Sequence, residues 1–138
     1  MLIIVLAVVA LAAVGCGDGD DEGSTPALDL PKLTGTVGST DDPDAYEISL
    51  TTEDGAEVTT VLLPGRYTLE INDRSTIHNF HLGARRAGVD VATDVAETGK
   101  KTTGVRFQDG EAYIYACDAH PARMNVTFSI HGRIRTQN

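Results

Sequence analysis

From Thr34 onward the chain alternates between apolar and polar residues in short runs, and turn residues separate the runs. A period of two places successive side chains on opposite faces of a strand, so one face can pack while the other meets water. Residues 66–72 read RYTLEIN, with Tyr67, Leu69 and Ile71 on one face, and the turn Pro64-Gly65 precedes them. Residues 125–130 place Val126, Phe128 and Ile130 together in the same way. Further strands are expected around Val37, over 46–51 and 57–63, at 78–82, and over 101–107 and 112–117, with Asp109-Gly110 as the turn between the last two. No window carries a sustained stripe of helical period, and the best place for a helical turn or two is within 88–98. Seven or eight short strands in about a hundred residues predict an all-β Greek-key sandwich. Aromatic residues are few, four Tyr, three Phe and no Trp, so the core must lean on Val, Ile, Leu and Ala.

The first fourteen residues, MLIIVLAVVALAAV, break this pattern. The run is apolar throughout, short for a bilayer span, and matches the apolar region of an export signal. Ala13-Val14-Gly15-Cys16 resembles a bacterial lipobox, in which small residues precede a Cys that is lipidated after cleavage. No Lys or Arg precedes the run. A plain secretory signal and an uncleaved anchor are the other readings, and all three export the domain. The expected organisation is a signal over 1–16, an acidic flexible tether over 17–33 and a folded domain over 34–138.

Charge narrows the partners. The chain carries a net −9. Asp18, Asp20, Asp21, Glu22 and Asp29 stand against Lys32 in the tether region, and the rest of the excess lies in the domain. Such a balance argues against nucleic-acid binding, which needs a basic surface. With Cys16 as the lipid site, the exported domain keeps one thiol, Cys117, and no disulfide can form within it. A lone thiol outside the cytoplasm calls for an explanation.

The segment Tyr113-Ile114-Tyr115-Ala116-Cys117-Asp118-Ala119-His120-Pro121-Ala122-Arg123-Met124 offers one. A strand ends at Cys117 and a new one begins after Met124, so Cys117, His120 and Met124 share one loop. His78 lies about forty residues upstream, in Thr76-Ile77-His78-Asn79-Phe80. Two imidazoles, a thiolate and a weak thioether form the donor set of a blue-copper electron-transfer site. The thiolate is a strong, polarizable donor. The imidazoles suit both Cu(I) and Cu(II), and the soft thioether favours the reduced ion. Taken singly, Cys117 reads as a buried structural thiol, His120 as a loop residue and Met124 as core filler. Their placement on one loop between two strands favours the joint reading.

Here the chain resembles the cupredoxins, especially the plastocyanin- and amicyanin-like members. In that family a first His, often followed by Asn, opens the site, and a Cys-x2-His-x(2–4)-Met loop closes it. This chain has His78-Asn79 and Cys117-x2-His120-x3-Met124. The resemblance implies a cupredoxin-like copper domain with one mononuclear type 1 copper held by His78, Cys117, His120 and Met124. It implies that Tyr113 and Tyr115 point into the sandwich with Cys117. It also implies that the backbone at Asn79 lies near the Cys117 sulfur and steadies it. The expected function is one-electron transfer between redox protein partners, by a non-enzymatic monomer tethered outside the cytoplasm, at the outer face of the cytoplasmic membrane or in the periplasm. Copper delivery or storage is the alternative. His81 is expected at the surface, three residues beyond His78, and His131 in solvent.

The lipobox reading carries the first prediction. The wild-type protein should partition into membranes, and Cys16→Ser should release it to the soluble fraction on cell fractionation. A Cys16→Ser protein that stays fully membrane-bound points to an uncleaved anchor.

Overall fold

The longest apolar alternation in the domain, GRYTLEIND, forms a nine-residue strand whose odd side chains Tyr67, Leu69, Ile71 and Asp73 are all buried. A computed structural model describes residues 29–84, 86 and 88–132. The signal and tether expected over 1–28, with Cys16, lie outside the described residues. Within them the chain is all-β: β1 (Lys32–Val37), β2 (Ile48–Thr52), β3 (Val61–Leu62), β4 (Gly65–Asp73), β5 (His81–Ala84), β6 (Asp90–Ala92), β7 (Gly99–Phe107), β8 (Ala112–Ala116) and β9 (Asn125–Ile130). The first strand thus starts at Lys32, two residues inside the expected tether.

Two mixed sheets form a sandwich. One has the order β2-β1-β4-β7 and the other β3-β9-β8-β5-β6. In the first, β1 runs parallel to β4 with Leu33 opposite Leu69 and Gly35 opposite Ile71. In the second, β8 is antiparallel to β9 with Tyr113 opposite Phe128. The period-two faces seen in the sequence become the two inner faces. Leu33, Val37, Leu50, Leu69, Ile71 and Phe107 come from one sheet, and Leu82, Tyr113, Tyr115, Phe128 and Ile130 from the other. Phe107 joins the layers, meeting Tyr113 edge-on at 4.8 Å and Phe128 at 5.7 Å between ring centroids. With aromatics this scarce, their geometry matters: edge-to-face pairs add about 0.5–1.5 kcal/mol beyond burial alone. Buried Tyr115 satisfies its hydroxyl by donating to the Val58 carbonyl at 3.0 Å, and burial pushes its phenol up to about 12.

Sequence expectation and structure part in three places, the first being the strand expected over 57–63, of which only β3, Val61–Leu62, forms. Residues 88–98, where a helical turn was expected, contain β6, an edge strand antiparallel to β5. Val91 packs against the core from this strand, so cross-strand pairing overrides the weak local preference. The strand expected over 78–82 begins only at His81. Residues 74–80 are instead the crossing by which the chain leaves one sheet after β4 and enters the other at β5. Among the described residues the count is therefore nine strands rather than seven or eight.

Two glycines shape the end of the sandwich where this crossing runs. Gly35 lies beneath the fully buried Phe80 ring, and a Cβ there would come within 2.7 Å of Phe80 Cζ. Gly38 has φ +71, and a Cβ there would stand 2.1 Å from the Pro43 carbonyl oxygen, so the loop after β1 can fold back on it. Gly35→Ala should cost about 1–3 kcal/mol through displacement of the Phe80 ring, read as a lower urea midpoint with an unchanged slope. An unchanged midpoint would mean that the ring moves aside freely.

Candidate metal centre

Local sequence explains why the loop between β8 and β9 is tight. Pro121 cannot donate a backbone bond, and the segment around it turns back within eight residues. The Cys117 N–H donates to the Met124 carbonyl at 2.9 Å, which closes the loop at its base. The His120 N–H donates to the Cys117 carbonyl at 3.2 Å, and the Arg123 and Met124 N–H groups both donate to the His120 carbonyl at 3.0 Å. Cys117 continues the inward face of Tyr113 and Tyr115, and all three are buried, as their alternation requires.

The sheet crossing brings His78 against this loop. Cys117 Sγ lies 3.7 Å from His78 Nδ1 and 3.7 Å from His120 Nδ1, and the two nitrogens are 2.9 Å apart. These three residues form a group that could hold a metal ion. Metal–nitrogen bonds near 2.0–2.1 Å and metal–sulfur bonds near 2.3 Å are ordinary for such donors, so one ion can span a triangle of this size. Cys117 and His78 are fully buried, while His120 is part-buried. Met124 is buried on the same loop, with its backbone bonded to Cys117 and His120.

Tautomer chemistry agrees with the donor role. His78 Nε2 lies 3.1 Å from the Asp44 carbonyl oxygen. A carbonyl only accepts, so Nε2 carries a hydrogen, and His78 turns its Nδ1 toward Cys117 and His120. Metal-ligating histidines are held in this way, with the second ring N–H fixed by a backbone carbonyl or a carboxylate.

The crossing that carries His78 is pinned by buried polar groups. Ser75 Oγ accepts from the Ile77 and His78 N–H groups, each at 3.1 Å, and donates to Asp44 Oδ1 at 3.0 Å. Asp73 accepts from the Ser75 N–H at 3.1 Å and from the Thr93 hydroxyl. Burial pushes the Asp73 carboxyl above its ordinary range, although these bonds and the nearby His78 pull it back. The hydrogen bonds the structure gives Asn79 are made by its side-chain amide. Its Nδ2 donates to the Thr93 carbonyl at 3.1 Å and to Asp118 Oδ2 at 2.7 Å, and its Oδ1 accepts from the Asp118 N–H at 2.8 Å. Asn79 therefore clamps the Cys117–Met124 loop to the crossing through Asp118.

Sequence reasoning passed over three contributors. Asp44 and Tyr46 belong to the loop between β1 and β2, and Tyr46 meets both imidazoles edge-on, with ring centroids 4.7 Å from His78 and 5.0 Å from His120. Neither has a local signal, since an Asp and a Tyr before a strand are unremarkable in a sequence. The third is His81. It stays out of the donor group and half-exposed, as its position predicted, but it bridges Asp118 at 2.8 Å and Asp90 at 2.7 Å. His131 is exposed. No protein-family model matches the chain, and no curated protein sequence matches it.

The His81 bridge has a pH signature. Burial pulls its imidazolium down, but hydrogen bonds and charge from Asp118 and Asp90 outweigh burial and leave its pKa above the ordinary 6.5. For Asp118, burial acts upward, while Asn79 and His81 outweigh it and hold the carboxyl below its ordinary range. A raised folded-state value means that the His81 contribution is complete below the unfolded value of 6.5 and fades as pH rises through the folded value. His81→Gln in the metal-free protein should therefore lose more melting temperature near pH ~5.5 than near pH ~8.5. Equal losses at both would show that the bridge carries no net charge interaction.

Proposed function

We propose that this chain is an exported blue-copper protein of the cupredoxin type that carries single electrons between redox proteins while tethered to a membrane. The observation that carries the reading is the convergence of His78 Nδ1, His120 Nδ1 and the buried Cys117 sulfur on one point. Copper would supply the Cu(I)/Cu(II) couple. In this reading His78, Cys117 and His120 would hold the ion, and Met124 would add a fourth, weak thioether donor. The protein's part is to keep these donors still. A thiolate and two imidazoles held by a closed loop and a pinned crossing have little room to rearrange between oxidation states, so each electron requires little reorganisation.

Surface and composition agree. His120 is the least buried of the three donors, and exposed Ala119, Pro121 and Ala122 stand beside it. Small apolar residues at such a point suit brief, weak docking to a redox partner. A delivery or storage role would favour exposed, Met-rich donors that release metal readily. Here Met1 and Met124 are the chain's two methionines, and Met124 and two of the three donors are buried. With Met124 as a fourth donor, such a site would leave no open position for a substrate, which is how a carrier differs from a catalytic centre. The acidic balance supports a protein partner rather than a nucleic acid.

Adding Cu(II) to the wild-type protein should produce one equivalent of bound ion and an intense visible band from sulfur-to-copper charge transfer. Cys117→Ser should leave the sandwich folded by circular dichroism and abolish the band, because serine is nearly isosteric but its hydroxyl is a hard, poorly ionised donor. A wild-type protein that binds Cu(II) and stays colourless would overturn the electron-carrier reading.

A further inference from the structure

The loop between β1 and β2, residues 38–47, lies against the candidate centre through contacts of three kinds. The Asp44 carbonyl accepts from His78 Nε2, the Asp44 carboxylate accepts from Ser75, and the Tyr46 ring meets both imidazoles. The loop is also braced from within. The Gly38 N–H donates to the Glu47 carbonyl at 3.0 Å, and Ser39 and Asp42 exchange bonds at 2.9–3.1 Å. Tyr46 is 42 % exposed, yet it touches His78, which is 0 % exposed. An exposed ring in contact with a buried one is the layer between that ring and water. Arg123, immediately before Met124 on the β8–β9 loop, stacks its guanidinium 3.8 Å from the Tyr46 ring centroid. That cation–π contact ties the covering ring to the segment that bears His120 and Met124.

We propose, resting on the metal reading above, that Tyr46 pinned by Arg123 is a fixed cover that keeps small exogenous ligands away from the His78–Cys117–His120 centre. Tyr46 is a positioning residue here: it touches the imidazoles and holds their planes, and it contributes no donor atom. The edge-on geometry places the ring's positive rim or face against each imidazole without competing for Nδ1. With the cover in place, electrons would pass through the protein surface while anions and chelators stay outside. Without it, the part-buried His120 loses both an aromatic wall and the arginine that braces its loop.

The test uses the full chain loaded with Co(II), whose visible bands change when an anion coordinates, and with Cu(II) in parallel. Azide is the probe. Tyr46→Ala should bind azide about tenfold more tightly than wild type, and Arg123→Gln about threefold more tightly. Tyr46→Phe keeps the ring and should match wild type. A second readout needs no metal: alkylation of Cys117 by iodoacetamide, located by peptide mass, should speed up in Tyr46→Ala and Arg123→Gln but not in Tyr46→Phe. Wild-type azide affinity and wild-type Cys117 reactivity in both Tyr46→Ala and Arg123→Gln would overturn the cover. A colourless wild-type Cu(II) form would instead overturn the copper reading, and the alkylation rates would still decide the role of Tyr46.

Discussion

Burying two imidazoles and a thiol at the end of an apolar sandwich is unfavourable unless every remaining polar atom finds a partner. That constraint organises the end of the molecule where the candidate centre lies. The Asp44 carbonyl takes the one hydrogen of His78 that would otherwise be stranded, and Ser75 takes the backbone N–H groups around it. Asp73 and Thr93 then satisfy Ser75 and Phe80 in turn. Among the described residues, no buried side-chain nitrogen or oxygen is left without a hydrogen bond. The polar network is complete, and a complete network in a low-dielectric setting holds one geometry rather than several.

The apolar core and this network depend on each other. Phe80 follows Asn79 directly, stacks on Tyr115 with centroids 5.8 Å apart, and fills the space above Gly35. The crossing that bears His78 is thus anchored in the core by the residue two positions later. On the other side, Tyr113 and Tyr115 seat β8 so deeply that Cys117 arrives at the centre already buried. A side chain built on the ends of packed strands moves little, which suits the proposed role.

Around the donors the protein arranges charge with some economy. Asp118 lies between Cys117 and His120 in sequence, and its carboxylate is taken up by Asn79 and His81 rather than left facing the site alone. Asp44 is engaged by Ser75, and Arg123 covers Tyr46. These two carboxylates near the centre are therefore tied into contacts, and the rim beside His120 remains small and apolar at Ala119, Pro121 and Ala122.

What could be read from the chain alone was whatever depends on near neighbours. Alternation in 66–72 and 125–130 announced β4 and β9, because period two is a local property of the extended backbone. Cys117, His120 and Met124 could be grouped because eight residues between two strands must share one loop. Whatever depends on distant partners was decided by the tertiary structure. Residues 90–92 of the 88–98 segment became a strand because β5 offered them an edge to pair with. Asp44 and Tyr46 became part of the centre because the loop after β1 folds onto a crossing 34 residues further along, where the Asp44 carbonyl meets His78. His81 acquired its two carboxylates from residues 9 and 37 positions away. Contacts across such separations leave no period and no spacing in the sequence, since only packing of the two sheets brings the partners within reach.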